Sequence, residues 1–464
     1  MVSNESITAT NGTNVSATTP IQPFMVSAPG KVIVFGEHAV VYGKAAMAAS
    51  ISLRSYLHIQ PGPALPEPSI TLNFVDISLS HTWPVSSLPW TVFTEASTLL
   101  SSGNPPPTIL DPALVSALSP HLAPISPNLD PRTRKIHAAA ASTFLYLFLL
   151  LSGPPSQSLT FTLRSTIPIG AGLGSSASIS VCLATALLHL SSALSVPGST
   201  PAPDVPAVLA HINALAFLGE SLIHGTPSGV DNTVSTYGKA VVFARSTTPG
   251  KGPSIDTIRN FPELPLLVVD TKQAKSTEYE VAKVRELRDK HTAVVEPILE
   301  AIHQVTESAR ALIAESEGVG GEGMVEKLGE LVVLNHGLLF ALGKSHPRLE
   351  ELREVVVRSG AGWFKLTGAG GGGCGFVMLR GDENVVKGEG KGEEAERLRG
   401  LEEELEKRGF EKYETILGGE GVGILTMDQG REITLEEFVR VEGTKGVEEL
   451  CGGDAVGWRH WRLV

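Results

Sequence analysis

The chain is poor in cysteine, in basic charge and in long apolar runs, and each shortage removes a class of protein. Its 464 residues include three cysteines, Cys182, Cys374 and Cys451, odd in number and far apart. A disulfide framework or a structural zinc site needs more thiols at closer spacing, so a reducing, cytoplasmic compartment is expected. Acidic residues outnumber basic ones, 49 to 37, for a net charge of −12. No nucleic-acid partner is expected, and a bound phosphate must be held by local N–H groups, lysine and metal rather than by a basic surface. The most apolar stretch, 138–151, falls short of the ~20 residues a membrane span needs. It reads as a buried helix, with no membrane partner. The first twenty residues are polar and have no apolar signal core, so the sequons at Asn4, Asn11 and Asn14 do not imply secretion.

What is present is a globular composition, 42% hydrophobic and 19% charged. The length suits two or three domains. Residues 1–23 read as a disordered Ser/Thr/Asn-rich arm. From Phe24 the chain turns apolar and β-like, with strands over 25–28, 32–35 and 45–60. Helical patterns cover 132–151, 175–194 and 205–224, and strands 159–164 and 239–244. Pro- and Ser-rich stretches at 61–68, 101–131 and 198–206 read as surface loops. A Gly/Pro/Ser segment near 245–262 separates a first domain, 24–245, from a second, 260–425. The second opens on a strand, 264–270, continues in amphipathic helices between 277 and 358, and has a glycine-rich turn, 368–373, before a strand, 375–379. A solvated loop and helix follow over 380–408. An extension, 426–464, carries Trp458 and Trp461, poor residues for a free tail, and is expected to pack on the second domain. Strands and helices mix without regular βαβ alternation, which indicates α+β in two domains.

Four segments carry chemistry. Gly170-Ala171-Gly172-Leu173-Gly174-Ser175-Ser176 follows a strand and opens a helix. Its glycines supply φ > 0 and close backbone approach, and a helix start aims unpaired N–H groups at an anion. No lysine follows, so it is not a Walker A loop. Taken alone it is as much a serine-capped turn as a phosphate cradle. In the second segment, Ser27-Ala28-Pro29-Gly30-Lys31 presents one amine, and Glu37-His38 follows a short β stretch. In the third, Glu220 precedes His224-Gly225-Thr226-Pro227-Ser228-Gly229-Val230-Asp231-Asn232. Glu220 suits Mg²⁺, which takes one or two carboxylates with phosphate oxygens; each carboxylate is equally a solvated surface group or a turn former. The fourth, Leu366-Thr367-Gly368-Ala369 followed by four glycines, is entropically costly just before a strand. It is a flexible hairpin or a close approach to a ligand.

In this order the strings SAPGKVIVFGEHAVVYGKAA, GAGLGSSAS, GESLIHGTPSGVDNTVSTYG and KLTGAGGGGCG resemble the GHMP kinases, over about residues 24–425. Within that family the wording is similar to the branch that phosphorylates mevalonate in isoprenoid and sterol biosynthesis. The resemblance implies a two-domain GHMP-kinase fold with the active site in the cleft between domains. It implies ATP and mevalonate as substrates and Mg²⁺ as cofactor. It also implies a homodimer and feedback inhibition by isoprenoid diphosphates. Position by position, Asp231 matches the catalytic base and Lys31 the lysine at the γ-phosphate. Gly170, Ala171, Gly172, Leu173, Gly174, Ser175 and Ser176 match the triphosphate loop, Ser165 a serine near the nucleotide, and Asp76 a residue at the adenine. Ser176 and Glu220 match the Mg²⁺ ligands. Glu37, His38, Lys275, Thr277 and Ala369 match the acceptor site. Lys275 stands where animal members carry an arginine for the acceptor carboxylate; lysine keeps the charge but loses the two-pronged geometry. Asp76 replaces an asparagine and can accept from an exocyclic amine but not donate. Other family acceptors, a non-catalytic ligand sensor and a decarboxylase that phosphorylates first are the alternatives. GEHAVVYG and HGTPSGVDN favour mevalonate, and the presence of Lys31, Ser176, Glu220 and Asp231 favours catalysis.

Overall fold

The computed structural model describes residues 21–101, 105–198, 205–245, 253–316, 323–386, 390–426, 432–453 and 456–463. Most of the expected disordered arm, 1–20, and part of the expected inter-domain segment, 246–252, lie outside the described residues.

One long strand, Ala45–Pro61, is the axis of the molecule. One edge runs antiparallel to Phe24–Phe35, from Phe24 opposite Ile59 to Phe35 opposite Met47. The other edge is shared by three partners in turn. Ala240–Ala244 pairs with Ala45–Ala49, Leu417 meets Ile51, and Leu159–Ser165 pairs with Ser55–Pro61. Through Glu411–Leu417 the sheet continues into Leu264–Asp270, Cys374–Leu379 and Gly362–Leu366. Both halves of the chain therefore hang on one hydrogen-bonded framework. The register shifts between Pro29 and Lys31. Pro29 has no N–H to give the ladder, and such a bulge re-aims the side chains beside it.

Three helices cover the sheet in the first half: Pro131–Leu151, Ser175–Leu190 and Val205–His224. The first begins at Asp130, whose carboxylate accepts from the N–H groups of Arg132 and Thr133, with proline at the first helical position. Its apolar run is spent on the core, where Phe144 and Phe148 meet Phe161 edge-on from the sheet. In the second half Thr292–Glu315, Met324–Ala341 and Pro347–Ser359 pack on the sheet. One hydrophobic cluster joins the halves, with Val32, Phe35 and Met47 beside Leu266, Val332 and Phe376.

Two expectations are corrected. The stretch 101–131 is not all loop, because it contains the helix Pro112–Leu122. Asp111 caps it by accepting from the Ala113 N–H, and Leu114 and Leu118 are buried in the first core. Pro112 opens the helix at its first position, where proline costs little, and Pro120 is accommodated inside its last turn, so a count of prolines misread it. The extension after residue 426 packs on the first half rather than the second. Gly423–Thr426 pairs with Phe24–Ser27, and Arg459–His460 pairs in turn with Gly423 and Ile424. Phe438, Val447 and Cys451 are buried with Met25 and Tyr56, and Trp461 lies in the core with Phe24 and Val26. The chain leaves the second half as an added strand of the first-half sheet, which commits the tail to that side. The helix expected within 380–408 is Glu393–Lys407, and its inner face buries Leu398, Leu401 and Leu405.

Leu118→Ala is expected to cost about 2–5 kcal/mol in reversible denaturation, the range for a fully buried leucine. A change within about 0.5 kcal/mol, as for an exposed site, would mean the 112–122 helix is not part of the core.

Candidate active site

The site begins with Lys31, which is almost fully buried. Its backbone N–H donates to the Leu173 carbonyl at 2.8 Å. Its Nζ donates to the Gly172 carbonyl at 3.1 Å and lies 3.2 Å from Asp231 Oδ2. One side chain thus joins three segments that are remote in sequence. Close approach is built in: a Cβ on Gly30 would stand 2.8 Å from the Leu173 carbonyl oxygen, and one on Gly174 3.0 Å from Lys31 Cγ.

In the glycine loop, Gly170, Gly172 and Gly174 have φ of +78°, +79° and +79°. A Cβ on Gly170 or Gly172 would meet nothing. The left-handed backbone, not lack of room, calls for glycine there. Gly174 is the N-cap of Ser175–Leu190 and no side chain caps that helix start. Its first N–H groups remain available to an anion, with the positive end of the helix dipole behind them. Asp231 lies in the first turn of Val230–Tyr237, after Gly229 at φ +79°. Asn232 ties that turn down by donating to the Asn213 side-chain oxygen at 2.6 Å.

Glu220 comes from the helix Val205–His224 and is buried. Burial is the main cause that pushes its carboxyl up to about 7. Its Oε1 is buried without a hydrogen-bond partner. Ser176 Oγ lies 3.2 Å from His224 Nε2, which is itself 3.8 Å from Glu220 Oε2. Glu220 reaches Ser176 because Gly219 lets the two helices close up: a Cβ there would lie 2.7 Å from Ser180 Oγ. Among the described residues no group of three or more His, Cys, Asp or Glu is set to hold a metal by itself. An orphaned buried carboxylate oxygen near a serine hydroxyl fits instead a Mg²⁺ ion that shares its shell with phosphate oxygens.

The second half closes over this cradle. His38, at φ 62°, places Nε2 2.9 Å from the Ala369 carbonyl. A carbonyl only accepts, so Nε2 carries the proton. Burial is the main cause that lowers the His38 pKa to about 4, so the ring is neutral at pH 7. Lys275 Nζ lies 3.5 Å from the Thr367 carbonyl, and its pKa is lowered chiefly by burial, with Lys31 among the charges acting on it. The glycine loop 368–373 is pinned from behind: Gly371 N–H donates to the Lys344 carbonyl and Gly373 N–H to that of Gln273. Lys344 Nζ, buried, pairs with Glu280 at 2.8 Å.

The structure therefore gathers Lys31, Asp231, Gly170–Gly174, Ser175, Ser176 and Glu220, and sets His38, Lys275 and Ala369 beside them. Other residues sit differently. Glu37 is buried, with one oxygen paired to Lys365 Nζ and the other accepting from Asn335 Nδ2 at 3.1 Å. Thr277 is exposed at the first position of its helix. Asp76 accepts from Arg164 Nε at 2.9 Å and from the Ser165 N–H at 2.6 Å. Ser165 Oγ lies 3.1 Å from Ser55 Oγ and accepts from the Ile167 N–H. Arg164 also donates to the carbonyls of Phe438 and Val441 in the C-terminal extension. Sequence reasoning missed Lys344, Glu280, Lys365, Asn335, Arg164 and His224. Lys365 and His224 lie inside motif strings; the others carry no local signal.

A glycine-lined helix mouth, with an amine and a carboxylate converging beside it, defines a class: a phosphotransferase that works on a small molecule held between two halves. The comparisons agree. The GHMP kinases N terminal domain matches residues 139–239, and the GHMP kinases C terminal domain matches 309–397. The chain is 50% identical over 459 residues to a mevalonate kinase of Gibberella zeae, covering 95% of this chain and 88% of that protein. It is 39% identical to the mevalonate kinase of Saccharomyces cerevisiae, covering 87% of this chain and 90% of that one. The solved mevalonate kinase of Methanococcus jannaschii has the same fold, with a TM-score of 0.55 at 23% identity, covering 87% of this chain and 98% of that one. The chain belongs to the mevalonate kinase family of the GHMP kinases.

Gly219→Ala is expected to push the Glu220 helix off Ser180 and weaken Mg²⁺–nucleotide binding about tenfold by calorimetry, since sub-ångström placement governs such sites. Unchanged affinity would show that the close helix contact does not set Glu220.

Proposed function

We propose that the protein transfers the γ-phosphoryl group of ATP to the primary alcohol of mevalonate, giving 5-phosphomevalonate, an early step of isoprenoid and sterol biosynthesis. The single observation that carries the chemistry is Lys31 Nζ held between the Gly172 carbonyl and Asp231 Oδ2. Phosphoryl transfer passes through a loose transition state, so positioning and charge neutralisation supply most of the rate. The free N–H groups at the start of Ser175–Leu190 hold phosphate oxygens. Lys31 offsets charge on the oxygens in transfer. Asp231 accepts the hydroxyl proton as the O–P bond forms. The neutral His38 ring and Lys275 face the acceptor, and Lys275 supplies the positive charge for its carboxylate. Ser176 and Glu220 would hold Mg²⁺, whose contribution when bound is to neutralise the phosphate charge.

The same family reading includes a homodimer, a cytoplasmic location and feedback inhibition by isoprenoid diphosphates that compete for the triphosphate cradle. The reading of a reducing compartment is supported by the sequence, whose three cysteines are too few and too far apart for a disulfide framework. Sedimentation mass and the mode of inhibition against ATP check the dimer and the feedback.

An ATP-consumption assay with mevalonate, homoserine and galactose side by side is expected to respond to mevalonate alone; activity only with another acceptor would overturn the assignment. Asp231→Asn and Lys31→Met are each expected to lower kcat by about 10²-fold or more, about 3 kcal/mol of transition-state stabilisation, while nucleotide still binds. Near-normal turnover in either would remove its assigned role. Glu220→Gln is expected to raise the Mg²⁺ concentration giving half-maximal activity, and an identical titration curve would count against a ligand there.

A further inference from the structure

Glu37 and Lys365 form an ion pair with side chains 1% and 0% exposed. Lys365 spends its donors fully: besides Glu37, Nζ donates to the Leu366 carbonyl at 2.8 Å and lies over the Phe376 ring. Asn335, also fully buried, donates to the second Glu37 oxygen. Its own Oδ1 has no hydrogen-bond partner. Flipping the amide would turn that oxygen toward a carboxylate, so the orientation is fixed by Glu37 and the orphaned oxygen is the cost. A buried ion pair is weak evidence of stability, because apolar residues of similar size often serve as well. What it does supply is fixed geometry.

The pair lies close to the acceptor site along both segments, Glu37 one residue before His38 and Lys365 four residues before Ala369. Glu37 precedes His38, whose left-handed backbone is strained for a non-glycine residue. Lys365 precedes Leu366, Thr367 and the glycine loop. Two more ties run parallel to it: His38 Nε2 to the Ala369 carbonyl, and Thr367 Oγ1 to the Ile33 carbonyl at 2.9 Å. The first-half loop and the second-half glycine turn are thus laced together at three points, with the ion pair buried at one end. We propose that Lys365 and Asn335 are positioning residues that act through Glu37 to hold His38 and the 368–373 turn in register for the acceptor alcohol. Glu37 then works from behind the acceptor site, with both carboxylate oxygens already engaged. The proposal rests on the assignment of mevalonate as acceptor.

The test uses the full chain and compares Lys365→Met, the paired variant Lys365→Met with Glu37→Gln, and Asn335→Ala. Lys365→Met leaves a buried carboxylate unpaired and is expected to lower the thermal midpoint; the paired variant removes that charge and is expected to recover it. In the paired variant KM for mevalonate is expected to stay raised about tenfold, with KM for ATP changed less than about twofold, as for a lost positioning contact on one substrate. Asn335→Ala, the milder change, is expected to raise KM for mevalonate several-fold with the same selectivity. A folded paired variant or Asn335→Ala with normal KM for mevalonate, or with both KM values raised alike, would overturn the proposal by reducing the pair to a structural contact. Failure of the wild-type chain to phosphorylate mevalonate would strike the acceptor assignment instead, so the two failures are distinguishable.

Discussion

The contact of Lys31 with the Gly172 carbonyl and with Asp231 links the strand bulge, the glycine loop and the start of a helix far along the chain. Each of the three partners depends on the others. The glycine loop has little side-chain packing of its own on the solvent side and takes its shape from the Lys31–Leu173 hydrogen bond and the Lys31–Gly172 contact. Asp231 would otherwise be a carboxylate at a helix start. Lys31 would be a buried ammonium without a counter-charge, an arrangement too costly to persist. The bulge at Pro29 is what permits the meeting, since a regular ladder through residue 31 would keep the strand's pleat and its alternation of faces.

A second layer of buried charge surrounds this centre. Lys365 with Glu37 spans the two halves and Lys344 with Glu280 lies within the second, and both pairs flank the glycine turn 368–373. Together they explain how four successive residues at positive φ, Gly370 to Gly373, with Gly368 nearby, are held without side chains of their own. A Cβ on Gly370 would sit 2.2 Å from the Lys344 carbonyl, so the closeness that pins the turn also forbids any larger residue. Rigidity of this kind matters for a reaction whose rate comes mainly from alignment.

The C-terminal extension has a structural logic of its own. It enters as an added strand beside Phe24–Ser27 and buries Trp461 in the first core. Arg164 gathers carbonyls from the end of its first helix while holding Asp76, and Asp76 holds the backbone of Ser165. The strand nearest the nucleotide loop is thus braced by the last part of the chain.

Much of this was legible in the residues. Helices 205–224 and 131–151 and the strand 264–270 follow from periodicity and caps, and the GAGLGSS turn follows from glycine chemistry, because these are local consequences of backbone and side chain. The helix 112–122 was hidden by its prolines, whose meaning depends on their place in a helix rather than on their number. The side taken by the tail, the burial of Glu37 and the roles of Lys365, Lys344 and Arg164 were decided only by tertiary structure. A lone lysine or arginine looks the same in sequence whether it meets water or a buried carboxylate, and only the folded sheet, which brings residue 37 to residue 365, tells them apart.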